Sequence, residues 1–391
     1  MSPPADLPAD VGLLSPVSAG TAVEALTGDH AVVTAMVRAE VALLHALVET
    51  GIAPPSLDLT TLPDLTPDPR TLAIDAVAGG NPIIPLVGWL RTRLGPDTAR
   101  WVHHGATSQD IVDTALMLIG ADVARQIDAD LTTAAELLAQ LTVDTRSVPM
   151  AARTLSQPAM PTTLGMRACG WLAGIHDAVR ALRDRLPLPA SLGGPVGTAA
   201  AYGDAGPAVV DALAAGLGLR APVRSWHTRR TPVIELATAL TVVTGMCGKI
   251  AADVLAMAQI GEAHEGTAGR SSSMAHKANP VRSVLVASAA RQAPALLAVL
   301  AASATAEQER PAGAWHSEWQ PLRMLLRVAG GAAAHTVDLI QAARFDHAAM
   351  RRNLDLLSAV AGTGPDWVDP HLAHVDVWID RVLSEHRRSR P

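Results

Sequence analysis

The stretch QDIVDTALMLIGADVARQIDADLTTAAELLAQLTVDT, residues 109–145, decides the fold of this chain. Its apolar side chains recur with helical spacing, and it contains no proline. At 1.5 Å per residue such a helix would be roughly 50 Å long, which exceeds the length of an ordinary globular helix. Similar patterns occupy four further stretches, residues 161–185, 232–263, 280–308 and 318–344. Together these stretches predict an elongated bundle of long helices.

The composition favours an all-α protein for a second reason. The 391 residues are 49% hydrophobic, yet they include one Phe and one Tyr. A core built from small and branched aliphatic side chains suits closely approaching helices better than an aromatic-rich sheet. The apolar positions wrap widely around each long helix, so burial on several sides is required, and we expect a homo-oligomer whose subunits share one bundle.

Charge and motif content exclude several classes of protein. A net charge of −6 without a long basic run gives no footprint for nucleic acid. The N-terminus has no basic segment followed by an apolar core, and no uncharged apolar run reaches the roughly 20 residues that span a bilayer, so no membrane partner is expected. Cys169 and Cys247 have no C-x-x-C spacing, which predicts buried free thiols and a cytoplasmic location.

The chain is expected to divide into a small helical N-terminal domain, a central long-helix bundle and a short C-terminal helical segment: residues 1–103, 104–344 and 345–391. In the first part, a helix is predicted from Asp29 to about Thr50, where Gly51 ends the apolar pattern. Two short helices are predicted in the last part, at residues 347–359 and 372–387.

Polar chemistry is concentrated in the segment Gly269–Pro280, which lies between two long helical patterns. It holds three serines, and Lys277 and Asn279 add a charge and an amide two residues apart. Pro280 is placed to open a helix, whose first backbone N–H groups would face the loop and bind a carboxylate. Lys277 is one of only two lysines in the chain, which favours a catalytic loop over the alternative of a Ser/Gly-rich linker.

Two further clusters precede helical patterns. In His103–Asp110, a glycine is followed by Thr, Ser and Asp, which is typical of a loop entering a helix N-terminus. The segment Ala152–Gly165 is a loop interrupted by prolines before the next helix. Taken alone, each cluster needs no function beyond capping a helix.

All three clusters resemble signature segments of the fumarase/aspartase superfamily. The pattern S-S-x-M-P-x-K-x-N-P is matched by Ser271, Ser272, Met274, Lys277, Asn279 and Pro280. The pattern H-x-G-x-T-S-x-D-x-x-D-T is matched by His103, Gly105, Thr107, Ser108, Asp110, Asp113 and Thr114. The pattern G-R-T-H-x-Q-x-A-x-P-x-T-x-G is matched by Arg153, Thr154, Gln157, Ala159, Pro161, Thr163 and Gly165.

Three departures from these patterns have chemical consequences. Ala275 replaces a proline, and Ala278 replaces an arginine whose charge Arg270 or Arg282 could restore. Leu155 replaces a histidine that serves relatives as a general acid for basic leaving groups. An apolar residue is tolerable there only if the leaving group is weakly basic, such as a carboxylate with a pKa near ~4.

The run Glu309–Trp319 resembles the E-R-x-x-G-A-W-H-x-E-W segment of the 3-carboxy-cis,cis-muconate cycloisomerase branch. That resemblance implies closure of 3-carboxy-cis,cis-muconate to 4-carboxymuconolactone, without a cofactor, in a homotetramer whose active sites each combine segments of three subunits. A small polycarboxylate is then the substrate.

The resemblance also implies roles for individual residues. Ser271 would exchange a proton with the carbon alpha to a carboxylate, while Lys277 and Asn279 stabilise the developing charge. The substrate would be held by His103, Thr107, Ser108, Gln157, Arg310 and Arg323. Arg230 is a weaker candidate ligand. The pair His316 and Glu318 cannot share a helix face, so no metal site is expected.

Two alternatives stay open. One is a lyase of the same superfamily that expels another weakly basic group, for example nitrite from nitrosuccinate. The other is a catalytically inactive homologue that serves as a helical scaffold, in keeping with Ala275, Ala278 and the short C-terminal segment.

Overall fold

The computed structural model describes residues 12–59, 65–266, 269–270, 274, 277–364 and 367–389. The helices are α1 (Ala22–Leu26), α2 (Asp29–Glu49), α3 (Pro69–Gly79), α4 (Ile83–Arg93), α5 (Pro96–Ala99), α6 (Ser108–Asp144), α7 (Leu164–Arg183), α8 (Gly206–Leu217), α9 (Thr231–Gln259), α10 (Val281–Ala302), α11 (Ala314–Ala342), α12 (His347–Ala361), α13 (Val368–Leu372) and α14 (Val375–Ser389). The strands are β1 (Pro149–Thr154), β2 (Gln157–Thr163), β3 (Ala263–Glu265), β4 (Gly269–Arg270), β5 (Ala278–Asn279) and β6 (Ala343–Phe345). The all-α bundle predicted from the sequence is confirmed.

Helix α6 is the longest element of the fold. It has 37 residues, and at 1.5 Å per residue it extends about 55 Å. Its N-cap residue is Thr107, whose backbone N–H donates to the carboxylate of Asp110 at 2.9 Å. From Gln109 to Ala121 every side chain is buried, because α2, α7 and α11 pack around this part of the bundle.

A buried ion-pair network joins the first turns of α6, α9 and α11. The Arg230 guanidinium lies 2.7 Å from Asp113 Oδ2 and 2.6 Å from Glu318 Oε2. All three side chains are at most 2% exposed. Since Asp113, Arg230 and Glu318 belong to the starts of their helices, the three starts meet at one end of the bundle, which we name the ion-pair end.

The opposite end of the bundle is marked by the short strands. Strand β3, which follows α9, pairs antiparallel with β6, which follows α11. Arg153 of β1 approaches Glu262, next to β3, at 3.5 Å. We name this the hairpin end. Helices α6, α9 and α11 therefore run from the ion-pair end to the hairpin end, and α7 and α10 run back.

Small residues let the long helices approach closely. A side chain at Gly248 of α9 would collide with Ala290 of α10. The core around these helices consists mainly of Ala, Leu, Val and Ile, which agrees with the shortage of aromatic residues in the sequence.

The segment before α7, predicted as a loop, is instead a β-hairpin. Strands β1 and β2 pair antiparallel, with a bulge between Ala151 and Arg153. Leu155 and Ser156 form the two-residue tip, and both have positive φ, 48° and 65°. The sequence does not predict this turn, because the turn lacks the usual Asn-Gly pair. Prolines in β2 are tolerated because both strands of a two-stranded sheet are edge strands.

The helix boundaries differ from the expected ones in a few places. Helix α11 begins at Ala314 rather than near residue 318, since Gly313 provides its N-cap. Helix α3 was not expected, although it has a clear start signal: Asp68 accepts a hydrogen bond from Thr71 N at 2.8 Å and proline occupies the first turn. Helix α8 was also not expected.

The C-terminal segment packs on the bundle through α14. His386 of α14 lies 3.1 Å from His176 of α7, and Glu385 pairs with Arg180 at 3.6 Å. One hydrophobic cluster contains side chains from both sides of residue 103. The division into three domains stays a prediction.

Three helices are long and apolar enough to cross a membrane by length and composition alone: α2, α9 and α10. Each of these helices includes charged residues, which agrees with the observation that the sequence has no uncharged apolar run of roughly 20 residues. In the most apolar 18-residue stretch of α10, only 28% is buried within the chain. Helix α10 therefore exposes an apolar face that needs another surface to cover it.

We predict that Arg230→Met destabilises the fold by about 3–5 kcal/mol, because it leaves two buried carboxylates without their counter-ion. The matched control is Arg183→Met, since Arg183 and Asp128 form a partly exposed pair, worth about 1 kcal/mol or less. Denaturant unfolding of both variants measures the difference. Equal stability of the two would contradict the role given to the network.

Candidate active site

The turn before α6 is anchored by the Asp110 carboxylate. Its Oδ2 accepts hydrogen bonds from Thr107 N and from Gly194 N, both at 2.9 Å, and its Oδ1 lies 2.6 Å from His227 Nε2. Asp110 is fully buried. The carboxylate therefore fixes the backbone of the turn and joins it to the glycine-rich turn at Gly194 and to the segment before α9.

The start of α6 has two backbone donors available for a ligand. Within the described ranges, no acceptor reaches the backbone N–H of Ser108 or Gln109. They lie at the positive end of a helix of 37 residues, a favourable place for a carboxylate. This geometry suits the predicted substrate-binding role of Thr107 and Ser108.

His103 precedes this turn and is oriented by Glu40 of α2. Glu40 is buried, and its two carboxylate oxygens accept from His103 N at 3.0 Å and contact His103 Nδ1 at 2.6 Å. A carboxylate at this distance requires Nδ1 to carry a proton. In the neutral ring, Nε2 is then the acceptor, so it can bind or relay a proton of a substrate.

The backbone of the turn is held from outside by Tyr202. Gly105 has φ 74°, and any side chain there would collide with the Tyr202 ring. The Tyr202 hydroxyl donates to His104 O at 3.0 Å. Burial, with the carboxylates of Asp110 and Glu40 nearby, raises the pKa of Tyr202 far above its usual range, so this hydroxyl stays a donor.

The hairpin tip carries the next candidate residues. Gln157 begins β2 and is exposed, and the neighbouring Leu155 is 98% exposed. Positive φ at a branched, non-glycine residue is unfavourable and is found more often at functional sites. The tip therefore exposes an apolar side chain and an amide, and neither is covered by the described residues of its own chain.

The loop that follows β4 holds the predicted catalytic residues. The β4–β5 ladder pairs Gly269 with Asn279 and so draws the two ends of the loop together. Lys277 is exposed, and its backbone N–H donates to Met274 O at 3.0 Å. Ser271, the predicted proton-transfer residue, lies outside the described residues, as do Ser272 and Ala275.

The start of α10 corrects one expectation. Its first N–H groups were expected to bind a substrate carboxylate, but Glu265 of β3 occupies that position. The Glu265 carboxylate accepts from Ser283 N at 2.9 Å and from Arg282 N at 3.2 Å. A carboxylate of the protein already compensates the helix dipole, so these N–H groups are not available to a substrate carboxylate.

Within one chain the candidate residues fall at opposite ends of the bundle. Thr107 is at the ion-pair end, whereas Gln157 and Lys277 are at the hairpin end. Helix α6, about 55 Å long, separates the two groups. A site that uses all of them has to combine more than one chain.

The chain matches the model of the lyase family over residues 81–294. It belongs to this family. The family match and the relatives described next confirm two resemblances: the one to the fumarase/aspartase superfamily, inferred from the three signatures, and the one to its cycloisomerase branch, inferred from the Glu309–Trp319 run and Leu155.

Several characterised members of the lyase family are similar over most of their length. Nitrosuccinate lyase of Streptomyces davaonensis is 42% identical over 91% of this chain and 79% of its own. A 3-carboxy-cis,cis-muconate cycloisomerase of Bradyrhizobium diazoefficiens is 39% identical over 88% of this chain and 79% of the cycloisomerase. The crystal structure of the lactonizing enzyme from Pseudomonas putida matches with a TM-score of 0.86 and 30% identity, covering 96% of this chain and 99% of that one.

Three arginines proposed from the sequence as ligands have different surroundings in the structure. Arg230 is the centre of the ion-pair network and 2% exposed, so it is not available to a substrate, which corrects its proposed role. Burial alone would lower its pKa, but the attraction of Asp113 and Glu318 outweighs this effect and raises the pKa. Burial raises the pKa of Glu318, which shares the one guanidinium with Asp113.

Arg323 and Arg310 lie on or near α11. The Arg323 guanidinium donates to Thr27 O at 2.6 Å and pairs with Asp29 at 2.8 Å, which favours a role in holding the segment before α2. Arg310 is exposed and stacks over the Trp315 ring. Of the two, Arg310 has the more exposed side chain.

Sequence reasoning missed the residues that hold the candidate site in place. Glu40 and Glu265 each contact a site segment that is distant in sequence, so no local spacing marks them. For Glu40, a polar residue inside an otherwise apolar helical pattern, that position was the available signal, since a buried carboxylate requires a partner. Among the described residues, no group of three or more His, Cys, Asp or Glu is arranged to hold a metal ion.

We predict that Glu40→Gln lowers kcat by about 10- to 100-fold, because an amide cannot accept from both His103 N and Nδ1 and the ring loses its fixed tautomer. Glu49→Gln, an exposed change on the same helix, is the control. Activity measured against pH, with the melting temperature, checks the prediction. A Glu40→Gln enzyme with an unchanged pH profile and kcat would contradict it.

Proposed function

We propose that this chain is a cofactor-independent lyase that moves a proton alpha to a carboxylate while a weakly basic group departs or adds. The observation that carries the proposal is Leu155. It occupies the exposed hairpin tip, at the position where relatives of the superfamily have a histidine that protonates basic leaving groups. Leucine cannot donate a proton, so the leaving group has to depart as a stable anion.

Two substrates satisfy this requirement, and they differ in charge. The substrate 3-carboxy-cis,cis-muconate carries three carboxylates, whereas nitrosuccinate carries two. Ala278 removes one positive charge, and of Arg270 and Arg282, the two residues that could restore it, Arg282 pairs with Asp338 at 3.5 Å. The smaller positive charge supports nitrosuccinate as the substrate, and so does the similarity to nitrosuccinate lyase.

Cycloisomerase activity is the second candidate. It is supported by the Glu309–Trp319 run and by the similarity to cycloisomerases in sequence and in three dimensions. In that reaction a carboxylate adds to a carbon–carbon double bond, and the Ser271 hydroxyl gives a proton to the carbon alpha to another carboxylate. The two reactions use the same proton transfer in opposite directions.

For nitrosuccinate the steps balance as follows. The Ser271 oxyanion takes a proton from the methylene carbon alpha to one carboxylate, and the electrons of that C–H bond are held briefly in an enediolate. They then form the carbon–carbon double bond as the carbon–nitrogen bond breaks. Nitrite leaves with the electron pair, and fumarate remains. Lys277 and Asn279 stabilise the enediolate, while the Ser108 and Gln109 N–H groups bind the other carboxylate.

We propose that the working form is a cytoplasmic homotetramer with shared active sites. The separation of Thr107 from Lys277 along α6 supports this assembly, because neighbouring chains in antiparallel orientation bring an ion-pair end next to a hairpin end. The uncovered apolar face of α10 supports it as well, since a core shared by subunits would bury that face.

We expect a higher kcat/KM for nitrosuccinate than for 3-carboxy-cis,cis-muconate, by about tenfold or more, in ultraviolet assays run side by side. The reason is the reduced positive charge at a site that would otherwise hold three carboxylates. Adenylosuccinate, whose leaving group is a basic amine, is the negative control. A higher kcat/KM for 3-carboxy-cis,cis-muconate than for nitrosuccinate would assign cycloisomerase activity. No turnover of any of the three compounds would favour the catalytically inactive scaffold.

Ser271→Ala tests the proton transfer on the better substrate. It is expected to reduce kcat by about 10²- to 10⁴-fold while leaving inhibition by fumarate unchanged. Ser273→Ala, in the same loop, is the matched control. Normal turnover by Ser271→Ala would refute the assignment.

We also predict that two inactive variants complement each other when mixed and reassembled. Thr107→Val removes a residue at the ion-pair end, and Lys277→Ala removes one at the hairpin end. If each site takes these residues from different chains, random assembly of an equal mixture restores about a quarter of the sites, one half multiplied by one half. Activity of the mixture that equals the sum of the separate variants would contradict a shared site.

A further inference from the structure

A second concave site lies at the hairpin end, between the hairpin and the helices α7 and α9. Its cavity of about 360 Å³ is lined by Arg153 and Thr162 of the hairpin, Arg167 and Trp171 of α7, and Lys249 and Asp253 of α9. None of the residues assigned to proton transfer or substrate binding lines it. The site is therefore distinct from the candidate active site.

Positive charge predominates in this cavity. Asp253 is already engaged, because Trp171 Nε1 donates to its Oδ2 at 2.7 Å and Lys249 pairs with the same oxygen. The Arg153 guanidinium reaches Glu262 only at 3.5 Å, a long and weak contact. Lys249 is one of the two lysines in the chain, and this cavity gives it a role.

Arg167 is the decisive side chain. It is half-buried, and among the described residues none accepts a hydrogen bond from its guanidinium or forms an ion pair with it. Burial lowers the pKa of Arg167, an effect that Asp253 and Glu262 oppose from a distance and Arg153 reinforces. A guanidinium removed from water without a direct partner is unfavourable, and an anion in the cavity would supply that partner.

We propose that this cavity binds a compact oxyanion, phosphate or a small carboxylate, which Arg167 holds through two parallel hydrogen bonds. Planar guanidinium groups match both ligands in this way. Lys249 and Arg153 add charge from either side, and Thr162 is placed to add a hydroxyl donor. The lining thus combines three cations and a hydroxyl around one small volume.

Binding of an anion in this cavity would also restrict the motion of the β1–β2 hairpin. Arg153 and Thr162 sit on the two paired strands, and Arg153 is two residues before the tip at Leu155. An anion that draws both strands toward α7 would restrict the tip. This part rests on the proposed function, in which the tip enters the active site of a neighbouring chain.

The test is calorimetric titration of the full-length protein with inorganic phosphate and, separately, with succinate at constant ionic strength. We expect saturable binding of at least one ligand, weakened about tenfold or more by Arg167→Gln. The control is Arg180→Gln on the same helix, since Arg180 is paired with Asp177 and Glu385. The ligand whose binding Arg167→Gln weakens more identifies the class of anion.

No saturable binding of either ligand, or equal weakening by both variants, would overturn the proposal. If Arg167→Gln fails to fold, Lys249→Gln replaces it, because Lys249 is 60% exposed and its removal spares the core. Turnover with and without the tighter ligand tests the effect on the hairpin. Binding is measured without turnover, so failure of the proposed activity and failure of this site are separate outcomes.

Discussion

The buried guanidinium of Arg230 is the constraint on which the rest of the structure depends. Its burial is tolerable only if Asp113 and Glu318 both reach it, and that requirement holds the starts of α6, α9 and α11 together at one end of the bundle. Asp110 lies one turn earlier on α6 than Asp113, so the same register places the carboxylate that holds the Thr107 turn. The position of the candidate anion-binding turn thus follows from electrostatics in the core.

The sequence predicts those parts of the fold that local spacing can encode. Long apolar periods indicate α6 and the other four long helices, although α10 and α11 contain Pro294 and Pro321, because the spacing of apolar residues within each segment is enough to predict a helix. The β1–β2 hairpin escapes this reasoning, since its turn uses Leu155 and Ser156 at positive φ instead of Asn-Gly. Its strands are also too short and too rich in proline to look like a sheet.

The candidate site shows the same limit more clearly. Signature residues such as Thr107 and Lys277 can be read from the sequence, but their neighbours cannot. Glu265 fills the α10 N-terminus from a different strand, and Arg230 resembles a substrate ligand until its two carboxylate partners are known. Contacts between distant segments decide which charges remain for a substrate, and spacing along the chain does not report them.

The hairpin tip links the assembly to the chemistry. An exposed leucine in a strained turn is unfavourable in an isolated chain, and its burial in a neighbouring chain would contribute about 1.5–3 kcal/mol. In the proposed assembly, Leu155 would exclude water from the leaving group and offer no proton. A basic leaving group would be trapped in such a site, whereas a stable anion departs without help. In that proposal, the residue that favours association would therefore also restrict the substrates to those with weakly basic leaving groups.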